Sequence, residues 1–299
     1  MEEIKTNLQN KENMENFYPI IDSHTHLLDY TESQLEIILE NASKANVKHI
    51  MNNCCVEADF IKIQPILKKY KDNFILNSYG LHPWWLNQRS PNWLENLREY
   101  LEKDPNSQVG EIGLDQLKYD QTSKEEQIEI LEKQLELGIE LDRVISVHCV
   151  RAQPEMQKVF KKYFKDPKKK TVNIIMHSYS GNKEMTKGYL KLNANIYFSL
   201  SQGIIRKPEF LQVIPLENIL VESDGPYQLC EKEVSDSGLF SEKDFITNQN
   251  NLIPKLEKIN EPRFCHSLIE FLAKLHNKSR QEIAQIVYTN SLKAFRLIK

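Results

Sequence analysis

The chain has 299 residues, 40% of them apolar and 27% charged, with a formal net charge of -3. This composition suits an ordinary globular enzyme and excludes a general pull toward nucleic acid or anionic membrane, so an anionic substrate must be attracted locally. Five cysteines, Cys54, Cys55, Cys149, Cys230 and Cys265, form no Cys-x-x-Cys pair and no even set, which argues against a disulfide framework and for a reducing, cytoplasmic compartment.

Residues 1–17 are rich in Glu, Lys and Asn and hold no apolar stretch, so they read as a flexible tail and not as a signal peptide or anchor. No apolar run approaches the roughly 20 residues that span a bilayer, and nothing suggests an obligatory protein partner. From residue 18 to 299 the chain reads as one domain in which short apolar strands alternate with helical patterns. Strands are expected at Tyr18–Asp22, Val47–Met51, Phe74–Tyr79, Gln108–Glu111, Val144–His148, Val172–Met176, Ile196–Leu200 and Ile219–Val221. Between them fall helices such as Thr31–Lys44, Ser123–Glu140 and Pro154–Phe164. In the second of these, Ile128, Leu131, Leu135 and Ile139 recur at helical spacing as an apolar stripe. A polar excursion, Gly225–Asn250, precedes helices at Cys265–Leu275, Arg280–Val287 and Ser291–Ile298. The pattern predicts a (β/α)8 barrel with extra C-terminal helices. A doubly wound open sheet is the competing architecture, but the first strand is followed by no Gly-rich dinucleotide loop.

Barrel active sites form where strands run out into βα loops, and there the chemistry-bearing residues gather. The first strand runs into His24-Thr25-His26, whose alternate side chains project to one side and can grip one cation. The third runs into Gly80-Leu81-His82-Pro83, the fourth ends at Glu111 and the fifth at His148. The sixth is followed by His177 and the eighth by Glu222-Ser223-Asp224. Five of the eight histidines therefore fall at strand ends, whereas His266 and His276 lie in helical patterns and His49 inside a strand. Imidazoles and carboxylates together suit Zn, Mn or related divalent ions. Glu111, central to the ring and with two oxygens, can bridge ions about 3.5–4 Å apart. The candidate ligands are His24, His26, Glu111, His148, His177 and Asp224.

These segments carry a family resemblance. Asp22-Ser23-His24-Thr25-His26-Leu27, Gly80-Leu81-His82-Pro83, Gly110-Glu111-Ile112-Gly113-Leu114-Asp115, His177-Ser178-Tyr179-Ser180-Gly181 and Glu222-Ser223-Asp224-Gly225-Pro226-Tyr227 resemble the successive motifs of the TatD family, metal-dependent deoxyribonucleases of the amidohydrolase superfamily. Asn260-Glu261-Pro262 and Asn290-Ser291-Leu292-Lys293-Ala294-Phe295 extend the likeness to the end of the chain. It implies two divalent ions per chain (Zn, Mn or Mg), the first held by His24, His26, Glu111 and Asp224, the second by Glu111, His148 and His177. It also sets His82 beside the site, on the scissile phosphate. Departures occur at Cys149-Val150-Arg151-Ala152, where many relatives have a Ser-Arg-Asp-Ala pattern, at Ile259, where relatives often carry a basic residue, and at Gly225, where Ala is common.

The resemblance implies a DNA or nucleotide phosphodiester as substrate and 3'-5' exonuclease character on DNA ends. Asp224 is then the general base, with Glu111 and His82 as the other catalytic residues. Candidate substrate contacts are His82, Arg151, Tyr179, Arg206 and the loop pair Trp84-Trp85, which can stack a base or plug the rim. The alternative is another amidohydrolase acting on a small phosphoester, amide or lactone. The run from Lys161 to Lys170 leads into the sixth strand, on the far face, and reads as a solvated turn. Cys54-Cys55 reads as barrel packing.

Overall fold

The computed structural model describes residues 17–70, 74–168, 171–248 and 257–298. Eight strands form one sheet in chain order, each parallel to its neighbour: β1 (Ile20–Thr25), β2 (Val47–Asn53), β3 (Ile75–Tyr79), β4 (Gln108–Asp115), β5 (Ile145–Val150), β6 (Asn173–Met176), β7 (Asn195–Leu200) and β8 (Ile219–Val221). A parallel bridge between Thr25 and Gly225, with the Asp224 N–H donating to the His24 carbonyl at 2.9 Å, joins the chain after β8 to β1 and closes the barrel. Helices α1 (Glu32–Lys44), α2 (Glu57–Lys62), α3 (Gln64–Lys69), α4 (Trp93–Lys103), α5 (Lys124–Glu140), α6 (Gln153–Phe164) and α7 (Lys183–Tyr189) lie between strands. Three more, α8 (Glu231–Asp236), α9 (Cys265–His276) and α10 (Arg280–Ala294), follow β8. The expected tail lies outside the described residues save Phe17, whose ring packs on Phe240 and His266.

Strands covered on both faces need no alternation. Every residue of β1, β3, β4, β6 and β8 is buried. Helix starts follow capping chemistry: Thr31 and Ser279 form capping boxes with Gln34 and Glu282, and Ser123 accepts from the Glu126 N–H. On α5, Leu131 and Leu135 are buried, with Ile128 and Ile139 packed against the same core.

Three expectations need correction. β1 runs to Thr25 and β4 to Asp115, not to Asp22 and Glu111. Polar residues after an apolar run read as a strand that has ended, but here His24, Glu111 and Asp115 face the barrel interior and find partners there. The two helices expected at the C-terminus are one, α10, which stops at Ala294. Its end is a plug: Ala294 and Phe295 pack against Ile21, Met51, Leu76, Ile175, Tyr197 and Leu220, the inward residues near the strands' N-terminal ends. Asn173 clamps it by donating to the Lys293 and Ala294 carbonyls, and Asn290 donates to those of Leu216 and Ile219. With the lower mouth filled, only the C-terminal mouth is left to hold a site.

Candidate metal centre

A cavity of about 1060 Å³ opens at that mouth, with His26, His82, Glu111, His148, His177 and Asp224 on its wall. Glu111 sits at the centre, and its two oxygens serve two sides. On the Oε2 side, His24 Nε2 lies 3.2 Å from the carboxylate, 3.3 Å from His26 Nε2 and 3.7 Å from Asp224 Oδ1. His26 Nε2 is 3.5 Å from Glu111 Oε2 and 3.4 Å from Asp224 Oδ1. Two ligands about 2.1 Å from a tetrahedral cation stand about 3.4 Å apart, so the two imidazoles stand near ligand spacing from each other and from both carboxylates. On the Oε1 side, Glu111 lies 2.7 Å from His177 Nε2, 2.9 Å from His148 Nδ1 and 3.2 Å from His82 Nε2. His148 Nδ1 and His177 Nε2 are 3.1 Å apart.

The donor atoms fit divalent cations in a second respect. Glu111 Oε2 and Asp224 Oδ1 are buried and accept no hydrogen bond. Anionic oxygens left so in a protein interior are costly unless a positive partner meets them. Burial pushes the Glu111 carboxyl up, but His177 and the hydrogen bond from His148 are among the contacts that outweigh it and hold the group well below the usual carboxylate range. Burial likewise opposes charge on His177, and Glu111 and Glu222 overcome it, raising that imidazole well above its ordinary value. His82 goes the other way: burial pushes it down to about 4, so its ring is neutral.

The outer contacts choose which ring nitrogen faces the centre. His82 Nδ1 accepts the Trp84 backbone N–H at 3.2 Å, which leaves the proton on Nε2, toward Glu111. His177 Nδ1 lies 3.5 Å from Glu222 Oε1, an oxygen that also accepts the Ser178 N–H at 2.6 Å. The loop after β8 is pinned from behind, since Asn260 bonds to Gln202 and Ser223 and its carbonyl accepts the Tyr30 hydroxyl at 2.7 Å. The late Asn260-Glu261-Pro262 segment thus braces Asp224.

All six candidate ligands come together, with His82 beside them. The substrate candidates divide. Trp84 and Trp85 are on the cavity rim, 38% and 42% exposed. Tyr179 touches the cavity but is buried, its hydroxyl 3.0 Å from that of Thr186. Arg151 and Arg206 do not line it, and Arg206 is held in a two-pronged pair by Glu233 at 2.6 and 2.9 Å. Cys54 is buried in the core as expected, but Cys55 faces the cavity with its sulfur 3.6 Å from His26 Nδ1. Lys168 is exposed beyond α6, and Lys169 and Lys170 lie outside the described residues. Sequence reasoning missed four contributors: Asp115, Glu222, Gln228 and Cys55. Strand alternation from Glu111 and from Asp224 points to the first two. Gln228, which donates to Asp224 Oδ2, and Cys55 carry no such signal.

A parallel barrel whose C-terminal mouth collects histidines and carboxylates around one central glutamate defines a metal-dependent hydrolase. The family model described as TatD related DNase matches residues 21–296, and the chain belongs to that family, whose hydrolases act on ester bonds. It is 26% identical to the uncharacterized metal-dependent hydrolase YcfH of Escherichia coli K12, over 93% of this chain and 96% of that one. It is also 26% identical to the human deoxyribonuclease TATDN3, over 92% and 94% of the two chains. The crystal structure of the TatD homologue YjjV from Escherichia coli superposes with a TM-score of 0.73, over 93% of this chain and 98% of that one, at 23% identity, and shows the fold. No helix among the described residues is long and apolar enough to cross a membrane.

Proposed function

We propose that this protein hydrolyses DNA phosphodiester bonds, releasing nucleotides stepwise from the 3' end of a strand, with two divalent cations held by the six ligands named above. One observation carries the reading. The Glu111 carboxylate turns one oxygen to His24 and His26 and the other to His148 and His177, the arrangement needed to serve two neighbouring ions. Cations bound there supply Lewis acidity, neutralising phosphoryl charge and making hydroxide available near neutral pH.

The chain's own groups do the rest. Asp224 takes the water's proton, and Gln228, donating to Oδ2, fixes the carboxylate so that Oδ1 stays turned to the centre. His82 Nε2, the protonated nitrogen, donates to a phosphate oxygen of the scissile group. An incoming base rests on one ring of the Trp84–Trp85 rim, with stacking worth about 1–3 kcal/mol per base. A pit at a barrel mouth admits a frayed strand end more readily than a broad duplex. The human deoxyribonuclease relative supports DNA as the substrate class. A single domain over 18–299 and a cytoplasmic site of action fit the five free thiols and the unbroken barrel.

The test is a 5'-labelled single-stranded oligonucleotide with Mn2+. A ladder of products shortened one nucleotide at a time is expected, blocked by a phosphorothioate at the last 3' linkage and not by one at the first 5' linkage. Cleavage of closed circular single strands at the linear rate would contradict the end-directed reading.

A further inference from the structure

Asp115 ends β4 on the face that carries Glu111, with only Gly113 between them on that side. The β4–β5 register sets Gly113 opposite His148. The imidazole therefore rises between two carboxylates, its Nδ1 2.9 Å from Glu111 Oε1 and its Nε2 3.1 Å from Asp115 Oδ2. The Asp115 side chain is fully buried, and its contacts are with donors. Oδ2 also accepts the Trp84 indole N–H at 2.5 Å, and Oδ1 accepts the Leu117 N–H at 2.8 Å. Its backbone is fixed in turn by Gln127 of α5, whose Oε1 accepts the Asp115 N–H at 2.9 Å while its Nε2 donates to the Asp115 carbonyl at 3.2 Å. An ionised carboxylate is an acceptor only, so Asp115 keeps a proton on His148 Nε2, while the Nδ1 proton that meets Glu111 is the one a cation would displace.

Trp84 belongs to the same construction. Its N–H is committed to Asp115, Lys118 Nζ stands 4.7 Å over its ring, and the His82 ring meets it edge-on at 5.5 Å. Trp85, its more exposed neighbour, meets Trp84 edge-on at 6.3 Å and has no comparable tie among the described residues. The two rim tryptophans are thus unequal. One is wired to the centre and the other is left for a ligand.

We propose that Asp115 is a positioning residue that holds His148 as a ligand of the second cation, and that Trp84 completes this brace, leaving Trp85 to stack a base. The proposal rests on reading His148 as a ligand and is independent of which phosphodiester is cleaved. Partners of this kind fix the ring and raise its basicity, and losing them weakens metal binding about 10- to 100-fold.

The test is calorimetric titration of the metal-stripped full chain with Mn2+. Asp115→Asn should weaken the second ion about 10- to 100-fold and leave the first unchanged. Trp84→Phe, which keeps an aromatic ring and removes the N–H, should shift the second ion in the same direction by less. The double variant should bind as Asp115→Asn alone, because the two act through one contact. Trp85→Phe should leave both affinities at the wild-type value. Wild-type affinity for the second ion in Trp84→Phe, equal loss of both ions in Asp115→Asn, or strictly additive effects would overturn the brace. His148→Ala distinguishes the underlying reading: if that variant still binds both ions normally, His148 is no ligand and the proposal falls with it. If it loses the second ion while Asp115→Asn retains it, the brace alone is wrong.

Discussion

Five imidazoles converge on the Glu111 carboxylate at the cavity wall, so a change at this one side chain reaches every part of the centre. Glu111→Gln keeps the size of the side chain and removes the charge that lets one group meet two cations. Activity should fall more than about 100-fold, since even outer-contact losses reach that range, while far-ultraviolet circular dichroism stays unchanged. Retention of full metal content and turnover would show that Glu111 is not shared. At this scale the sequence is informative where a residue type sits at a strand end. His24, His26, His82, His148 and His177 all follow apolar strands, so their convergence is legible in the order of residues alone. Cys55 and Gln228 reach the centre through loop geometry that no periodicity encodes, and Arg206 is drawn away by Glu233, a residue 27 positions on whose approach depends on α8.

β4 and β5 show how an element, and not a single side chain, sets the site. Gly113 lies opposite His148, and a Cβ there would stand 1.9 Å from the His148 carbonyl oxygen, so only glycine lets the strands pair at this point. Gly113→Ala must push β5 outward or break the register. It should lower stability by at least about 1–3 kcal/mol and also weaken binding of the second cation, as read by thermal melting and by metal titration. Gly203→Ala, where an added Cβ meets nothing within 4 Å, is the control and should do neither. Wild-type metal binding in Gly113→Ala would mean that His148 does not depend on this pairing. All eight strands are legible from apolar runs between turn residues. The ends of β1 and β4 are not, because a polar residue facing a polar barrel interior looks, in sequence, like a strand that has stopped. The gap expected at residues 288–290 is helical, and the polar Asn290 and Ser291 at its end are buried and bonded to backbone carbonyls.

At the scale of the whole molecule the barrel has one stoppered end and one reactive end. The stopper is a tertiary docking event, invisible to local patterning, although the closing Asn290–Phe295 segment stands out in the sequence without an assigned task. Phe295→Ala should cost about 3–5 kcal/mol, the range for emptying a buried aromatic site, measured by denaturant unfolding. Metal content at low temperature should remain normal, because the plug touches the strands' opposite ends. The central claim concerns the reactive end, where one carboxylate is shared by two cations. Its most direct measurement is an anomalous difference map from crystals grown with Mn2+. Two peaks about 3.5–4 Å apart are predicted, one beside Glu111 Oε2 with His24, His26 and Asp224, the other beside Oε1 with His148 and His177. A single peak, or a pair in which one ion makes no contact with Glu111, would contradict the account.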